Sequence, residues 1–160
     1  MSGPEQPVRI TVDGVAHELE SDPATPLRYV LSDTLGLGGP QFGCGLESCG
    51  ACKIIVGADA VVSCRLPVGE VGDAPVTTIA GLIEDGDLHP VQQAFLDEQA
   101  LQCGYCINGM VMAAAALVMR QRPTEERIRQ ELHDNLCRCG THVRIVRAVE
   151  RAADAIWGDQ

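Results

Sequence analysis

The sequence predicts an α+β chain in two units, one built on strands over residues 1–80 and one built of helices over residues 81–160. Three observations carry this. Short alternating apolar runs separated by Gly-containing turns fill the first half. Apolar residues recurring at spacings of three and four fill the second. The 8 cysteines divide the same way, four to each half, and each four has its own internal spacing.

Val8-Arg9-Ile10-Thr11-Val12 alternates apolar and polar residues as a half-buried strand does. Asp13-Gly14 is a favoured two-residue hairpin turn, and Val15 to Glu20 returns as the partner strand. Thr25-Pro26 opens a helix to about Leu35, with Leu27, Val30, Leu31 and Leu35 on one face and Gly36 as its stop. A cysteine-rich loop follows. Lys53 to Val56 and Ala60 to Ser63 then form a second hairpin around Gly57-Ala58-Asp59 and deliver Cys64 at its end. Pro67 to Pro75 is a loop, and Val76 to Ile79 is a last strand. A hairpin, a helix across it and further strands describe a plant-ferredoxin-like β-grasp domain.

Past Gly81 the pattern becomes helical. His89-Pro90 starts a helix to about Gln99 that buries Val91, Ala94 and Phe95. Ile107, Met110, Val111, Ala114, Leu117 and Val118 mark a second, ending before Pro123. Thr124 is an N-cap for a third, whose Glu125 and Glu126 suit the helix dipole and whose Ile128 and Leu132 face inward. Thr141 is the expected cap of a fourth, with the stripe Ile145, Val146, Val149, Ala152, Ala153 and Ile156. These make a C-terminal four-helix bundle.

The stretch Phe42 to Cys52 reads FGCGLESCGAC and is closed by Cys64. Cys44, Cys49 and Cys52 in C-x4-C-x2-C order with a distant fourth sulfur have the spacing of a plant-type 2Fe–2S site. Such a cluster is anionic, so backbone N–H groups must approach its sulfurs, and Gly43, Gly45 and Gly50 permit that. A four-cysteine zinc site is the alternative, although zinc loops usually present paired C-x2-C knuckles. The second set is Cys103 and Cys106 with Cys137 and Cys139. Cysteines three apart share one face of a helical turn, so Cys103 and Cys106 are expected to point at one iron from a helix start. Cys137 and Cys139 need an irregular turn, which Gly140 helps to make. Zinc, or a redox disulfide between Cys103 and Cys106, are the rivals here, the latter without its usual βαβ setting.

Charge and composition remove other classes. At 46% apolar and 21% charged the chain is globular, and at 3% aromatic its core falls to aliphatic residues. A net charge of −10 argues against nucleic acid and anionic membrane as partners and suits docking to a more basic protein. Met110 to Met119 is about half the length that spans a bilayer, so no direct membrane insertion is expected. Met1 to Pro7 has neither the basic start nor the apolar run of a signal peptide. That, and the two sets of four, favour cytoplasmic folding with cofactor loading over a four-disulfide secreted scaffold. Membrane or periplasmic association is expected only through a partner.

The motifs GCGLESCGAC, LQCGYCINGM and NLCRCGTHVRIVRAV, with all eight cysteines in register, resemble the two-cluster iron–sulfur subunit of the molybdenum hydroxylases, the xanthine dehydrogenase and aldehyde oxidoreductase family. HPVQQAFLDEQALQCGYCINGM and NLCRCGTH are most similar to small subunits of nicotinate dehydrogenase and isoquinoline oxidoreductase. The resemblance implies an oxidoreductase in which this chain carries electrons and turns nothing over alone. Two 2Fe–2S clusters, on Cys44, Cys49, Cys52 and Cys64 and on Cys103, Cys106, Cys137 and Cys139, would relay charge from the molybdenum centre of a large molybdopterin-binding subunit. It also implies that the second cluster lies nearer the pterin, that Gln102 hydrogen-bonds the pterin, and that Cys139 touches its edge. The onward partner would be an FAD-binding medium subunit or a cytochrome c protein or domain, with FAD or haem c as its cofactor. The implied reaction is hydroxylation of an N-heteroaromatic such as nicotinate, with an aldehyde as the alternative substrate.

Two positions depart from the pattern. Cys64 lies closer to the triplet than the fourth cysteine of plant-type ferredoxins, which makes this a compact variant. His142 stands where many members carry Tyr; partner contact, helix start and plain solvation are all open for it. Arg138, between two sulfurs, is expected to raise the potential of its cluster. The competing functions are a free-standing ferredoxin-type shuttle, which would need only one exposed cluster, and a zinc-stabilised interaction module, which would be colourless.

Overall fold

Val8–Val12 (β1) and Val15–Leu19 (β2) pair antiparallel across a turn in which Asp13 and Gly14 both adopt positive φ, 49° and 79°. That is the geometry Asp-Gly favours, because its twist matches that of the strands. The computed structural model describes residues 7–158; the first six, most of the stretch read for an export signal, and the last two lie outside the described residues.

The helix expected over 25–35 is shorter and then widens. Only Leu27–Tyr29 (α1) is α-helical, and Val30–Thr34 continues it as a π turn closed by the Leu35 N–H on the Val30 carbonyl. Leu27, Val30 and Leu31 are still fully buried, so the expected face is the one that packs. Lys53–Val56 (β3) and Asp59–Val62 (β4) form the second hairpin. Its turn is Gly57-Ala58 alone, and Asp59, expected in the turn, is the first residue of β4 opposite Val56. Val68–Glu70 is a single 3-10 turn in the expected loop, and Val76–Thr77 (β5) is two residues long. β5 lies at the centre, parallel to β1 and antiparallel to β3, giving a mixed sheet in the order β2-β1-β5-β3-β4.

Pro90–Asp97 (α2), Ile107–Arg120 (α3), Glu125–Glu131 (α4) and His142–Trp157 (α5) complete the α+β chain. α2 opens with a reciprocal cap: His89 Nδ1 accepts the Val91 N–H at 3.2 Å, and Gln92 accepts the His89 N–H at 3.0 Å. Thr124 caps α4 as expected, accepting the Arg127 N–H at 3.3 Å. α3 is buried on every side from Gly109 to Val118, so each side needs cover. Helices α2, α4 and α5 supply part of it, and strands β3 and β4 supply the rest.

Two hydrophobic clusters result. One joins the sheet to the α1 turn through Ile10, Val12, Leu27, Leu31, Ile54 and Val76. The other gathers the helices around Phe95, Met110, Leu117, Ile128 and Val149 and takes in Ile55 from β3. Adjacent residues of β3 thus face opposite clusters, as a strand's alternation requires. Burying each of these larger side chains contributes roughly 1.5–3 kcal/mol. Among the described residues no helix is long and apolar enough to cross a membrane.

Candidate metal centres

The first centre begins with a loop that has to coil on itself. A Cβ on Gly43 would lie 2.5 Å from Cys49 Sγ, so only glycine lets Cys49 fold back over the segment. The coil turns two backbone donors onto one sulfur: Leu46 N–H and Ser48 N–H reach Cys44 Sγ at 3.3 and 3.2 Å. These donors, Leu46 foremost, hold the Cys44 thiol down at about 7 against its burial. Cys64, at the end of the β3–β4 hairpin, is pushed up, first by burial and then by its contact with Cys52. The sulfurs meet in pairs, Cys44 with Cys49 and Cys52 with Cys64. Cys52 and Cys64 are buried while Cys44 and Cys49 are half-exposed, so the loop has an inner and an outer pair.

The second centre also brings its sulfurs together in pairs. Cys103 meets Cys139, and Cys106 meets Cys137. The two cysteines of C-x2-C therefore take different partners. The reason is local: Gly104, at φ 80°, breaks the chain before the helix, so Cys103 lies outside α3 and Cys106 is its N-cap. All four sulfurs and Gln102 line one small pocket with Ala100, Ile107 and Thr141. Burial and the Cys137 contact push Cys106 up to about 12. Cys137 is also pushed up by burial, but bonds from Thr141, the Cys139 backbone and Cys106 outweigh this and bring it to about 7. Thr141 makes no side-chain cap on α5; its hydroxyl lies 3.6 Å from Cys137 Sγ. Cys103, held down chiefly by the Tyr105 N–H, is exposed, as is Gln102 beside it.

None of the eight cysteines is joined to another by a disulfide. Mononuclear zinc needs four ligands around one point. Two irons that take two sulfurs each need two neighbouring pairs, and both sets offer that. The donor sets and the Gly43 cradle therefore fit a dinuclear iron–sulfur group.

The two centres touch. The Leu136 N–H donates to the Cys49 carbonyl at 3.0 Å, and Asn135, buried, donates to the Gly50 carbonyl at 3.3 Å. A Cβ on Gly109, at the start of α3, would run into that same Gly50 carbonyl, and Tyr105 Oη donates to the Phe42 carbonyl. Asn135 and Tyr105 carry no local sequence signal, because each acts across a long separation. Thr141 reads in the sequence as a helix cap, and the fold turns it to a sulfur instead. His142 is exposed on the rim of a groove shared with Leu136 and Arg138, and Arg138 is exposed as well.

Residues 78–150 match the 2Fe-2S binding domain family. The chain is 51% identical over 148 residues to a nicotinate dehydrogenase subunit of Pseudomonas putida, covering 92% of this chain and 94% of that protein. It is 44% identical over 149 residues to the alpha subunit of the isoquinoline 1-oxidoreductase of Brevundimonas diminuta, covering 92% of each. The crystal structure of the aldehyde oxidoreductase from Desulfovibrio desulfuricans superposes with a TM-score of 0.90 at 34% identity, over 97% of this chain and 18% of that one.

Proposed function

The chain belongs to the iron–sulfur subunits of the molybdenum hydroxylases, and we propose that it carries electrons, one at a time, from the molybdenum centre of a large molybdopterin-binding subunit to a cytochrome c or flavin acceptor. Cys44, Cys49, Cys52 and Cys64 would hold one 2Fe–2S cluster in a unit over residues 1–80. Cys103, Cys106, Cys137 and Cys139 would hold the other in a unit over residues 81–160 with the plan of a four-helix bundle. When bound, each cluster supplies a one-electron site whose potential answers to nearby charge, hydrogen bonds and exposure. The observation that carries the reading is the convergence of Cys103, Cys106, Cys137 and Cys139 on one small pocket.

The rest is what the residues do. Backbone N–H groups of Leu46 and Ser48 and the Thr141 hydroxyl favour thiolate, the form iron requires. Gln102 is exposed and Cys139 half-exposed at the second centre, where an amide would offer donors and an acceptor to the edge of a partner's pterin. The exposed Leu101, Tyr105 and Leu136 around them suit a covered protein face. An N-heteroaromatic such as nicotinate is the substrate we infer for the complex, by likeness to the first relative. An aldehyde is the second reading, supported by the structural likeness to an aldehyde oxidoreductase.

The test is the anaerobically prepared complex. We expect iron and acid-labile sulfide for two clusters, two separate EPR signals after dithionite, and bleaching of the visible absorbance by nicotinate. A colourless, EPR-silent protein would end the iron–sulfur reading, and bleaching by aldehydes alone would replace the substrate.

A further inference from the structure

The chain has a single lysine, Lys53, against eleven arginines, and that lysine is 8% exposed. A lysine is almost never buried without a partner, since taking an ammonium out of water costs several kcal/mol. Its Nζ donates to Asn135 Oδ1 at 2.8 Å, and Asn135 is a neutral acceptor that repays little of that cost. Glu131 and Asp134 line the same surface cleft, but no ion pair joins either to Lys53 among the described residues. Burial disfavours the charged ammonium, while the Glu131 and Asp134 carboxylates and then Cys52 favour it.

Lys53 follows Cys52 directly, and Asn135 stands two residues before Cys137. Asn135 also donates to the Gly50 carbonyl, and Leu136 donates to the Cys49 carbonyl. A Cβ on Gly50 would lie 2.6 Å from Asn135 Nδ2, so the loop over 49–53 and the turn over 135–137 are in full contact. The ammonium sits in that seam, one residue after Cys52 and bonded to the residue two before Cys137.

We propose that Lys53 is a positioning residue shared by both centres: through Asn135 it pins the first loop to the second turn, and its charge raises the reduction potential of both clusters. This rests on the reading that each cysteine set holds a 2Fe–2S cluster. Reduction adds negative charge, and a cation in a low-dielectric seam favours the reduced form of every cluster near it.

The experiment is EPR-monitored redox titration of the intact holoprotein with Lys53→Met, Lys53→Gln and Lys53→Arg. Met keeps the bulk, Gln keeps a donor for Asn135, and Arg keeps the charge. In both neutral variants we expect the two midpoints to fall together, by about a tenfold change in each one-electron equilibrium, or 59 mV. Lys53→Arg is expected to stay near wild type. Midpoints that stay unchanged in loaded neutral variants, or a shift in the first cluster alone, overturn the inference. If the neutral variants lose both clusters and Lys53→Arg keeps them, the charge requirement stands; loss in all three assigns Lys53 to packing and overturns it. Wild-type protein without clusters would instead sink the iron–sulfur reading, so the two failures are distinct.

Discussion

Gly43 has no room for a side chain on the side where Cys49 folds back. Cys49 Sγ is the end of a side chain and could swing away from an added methyl, but not while holding iron. Gly43→Ala should therefore leave the fold standing while the first cluster is lost. Metal analysis should show about half the iron, and EPR should keep only the signal of the helical unit. Arg138 makes the contrasting case. It lies between Cys137 and Cys139 in sequence, yet its side chain is exposed. A unit charge at contact distance in water is worth only about 1 kcal/mol, and salt reduces that further. Arg138→Gln should lower the second cluster's midpoint slightly, leave the first unmoved, and lose its effect at high salt in the same titration. Proximity in sequence therefore overstates Arg138, and burial gives the greater influence to Lys53.

Among the elements, α2 and α3 show how a helix start can bind a unit together. Burial pushes the His89 imidazole below its ordinary 6.5, while Glu84 pulls weakly the other way. The folded chain thus holds that proton less well than the unfolded chain does. Stability should be level above pH 6.5, fall as pH drops through that value, and level again below the depressed native value. Protonation also removes the acceptor that caps α2, a contribution of about 0.5–2 kcal/mol. His89→Asn should keep the cap and abolish this part of the slope, read as urea midpoints of both proteins above and below pH 6.5. α3 starts against the first loop, where Gly109 meets the Gly50 carbonyl. Because that obstacle is backbone, Gly109→Ala must move the helix or the loop. Overpacking of this kind costs about 1–3 kcal/mol. We expect a lower thermal midpoint and a changed EPR line shape for the first cluster, whereas a surface alanine on the same helix should change neither.

At the scale of the molecule, what the sequence made legible was local. Asp13-Gly14 turns where its backbone preference says, α3 ends before Pro123, and the cysteine triplet coils around Gly43. What it hid was set by contacts across the chain. The partners of Cys103 and Cys106 depend on a turn some thirty residues away. The burial of Lys53 depends on Asn135, 82 positions on. The π turn after α1 also fits no helical periodicity, since its spacing is set by the Leu35 and Leu37 N–H groups reaching Val30 and Leu31. Those long-range ties decide how the whole molecule should unfold. Cross-links over spans such as Cys44 to Cys64 and Cys106 to Cys137 contribute about 2–4 kcal/mol each, and a chain of this size loses about 2–4 °C per kcal/mol. Stripping iron under reducing conditions should lower the thermal midpoint by about 10–30 °C. Because Ile55 belongs to the helical core and Leu136 bonds to Cys49, sheet and helices should lose structure in one transition. Circular dichroism of the helices and the visible absorbance of the holoprotein should then melt together. Two separated transitions would mean that the seam at Gly50, Asn135 and Lys53 does not couple the units.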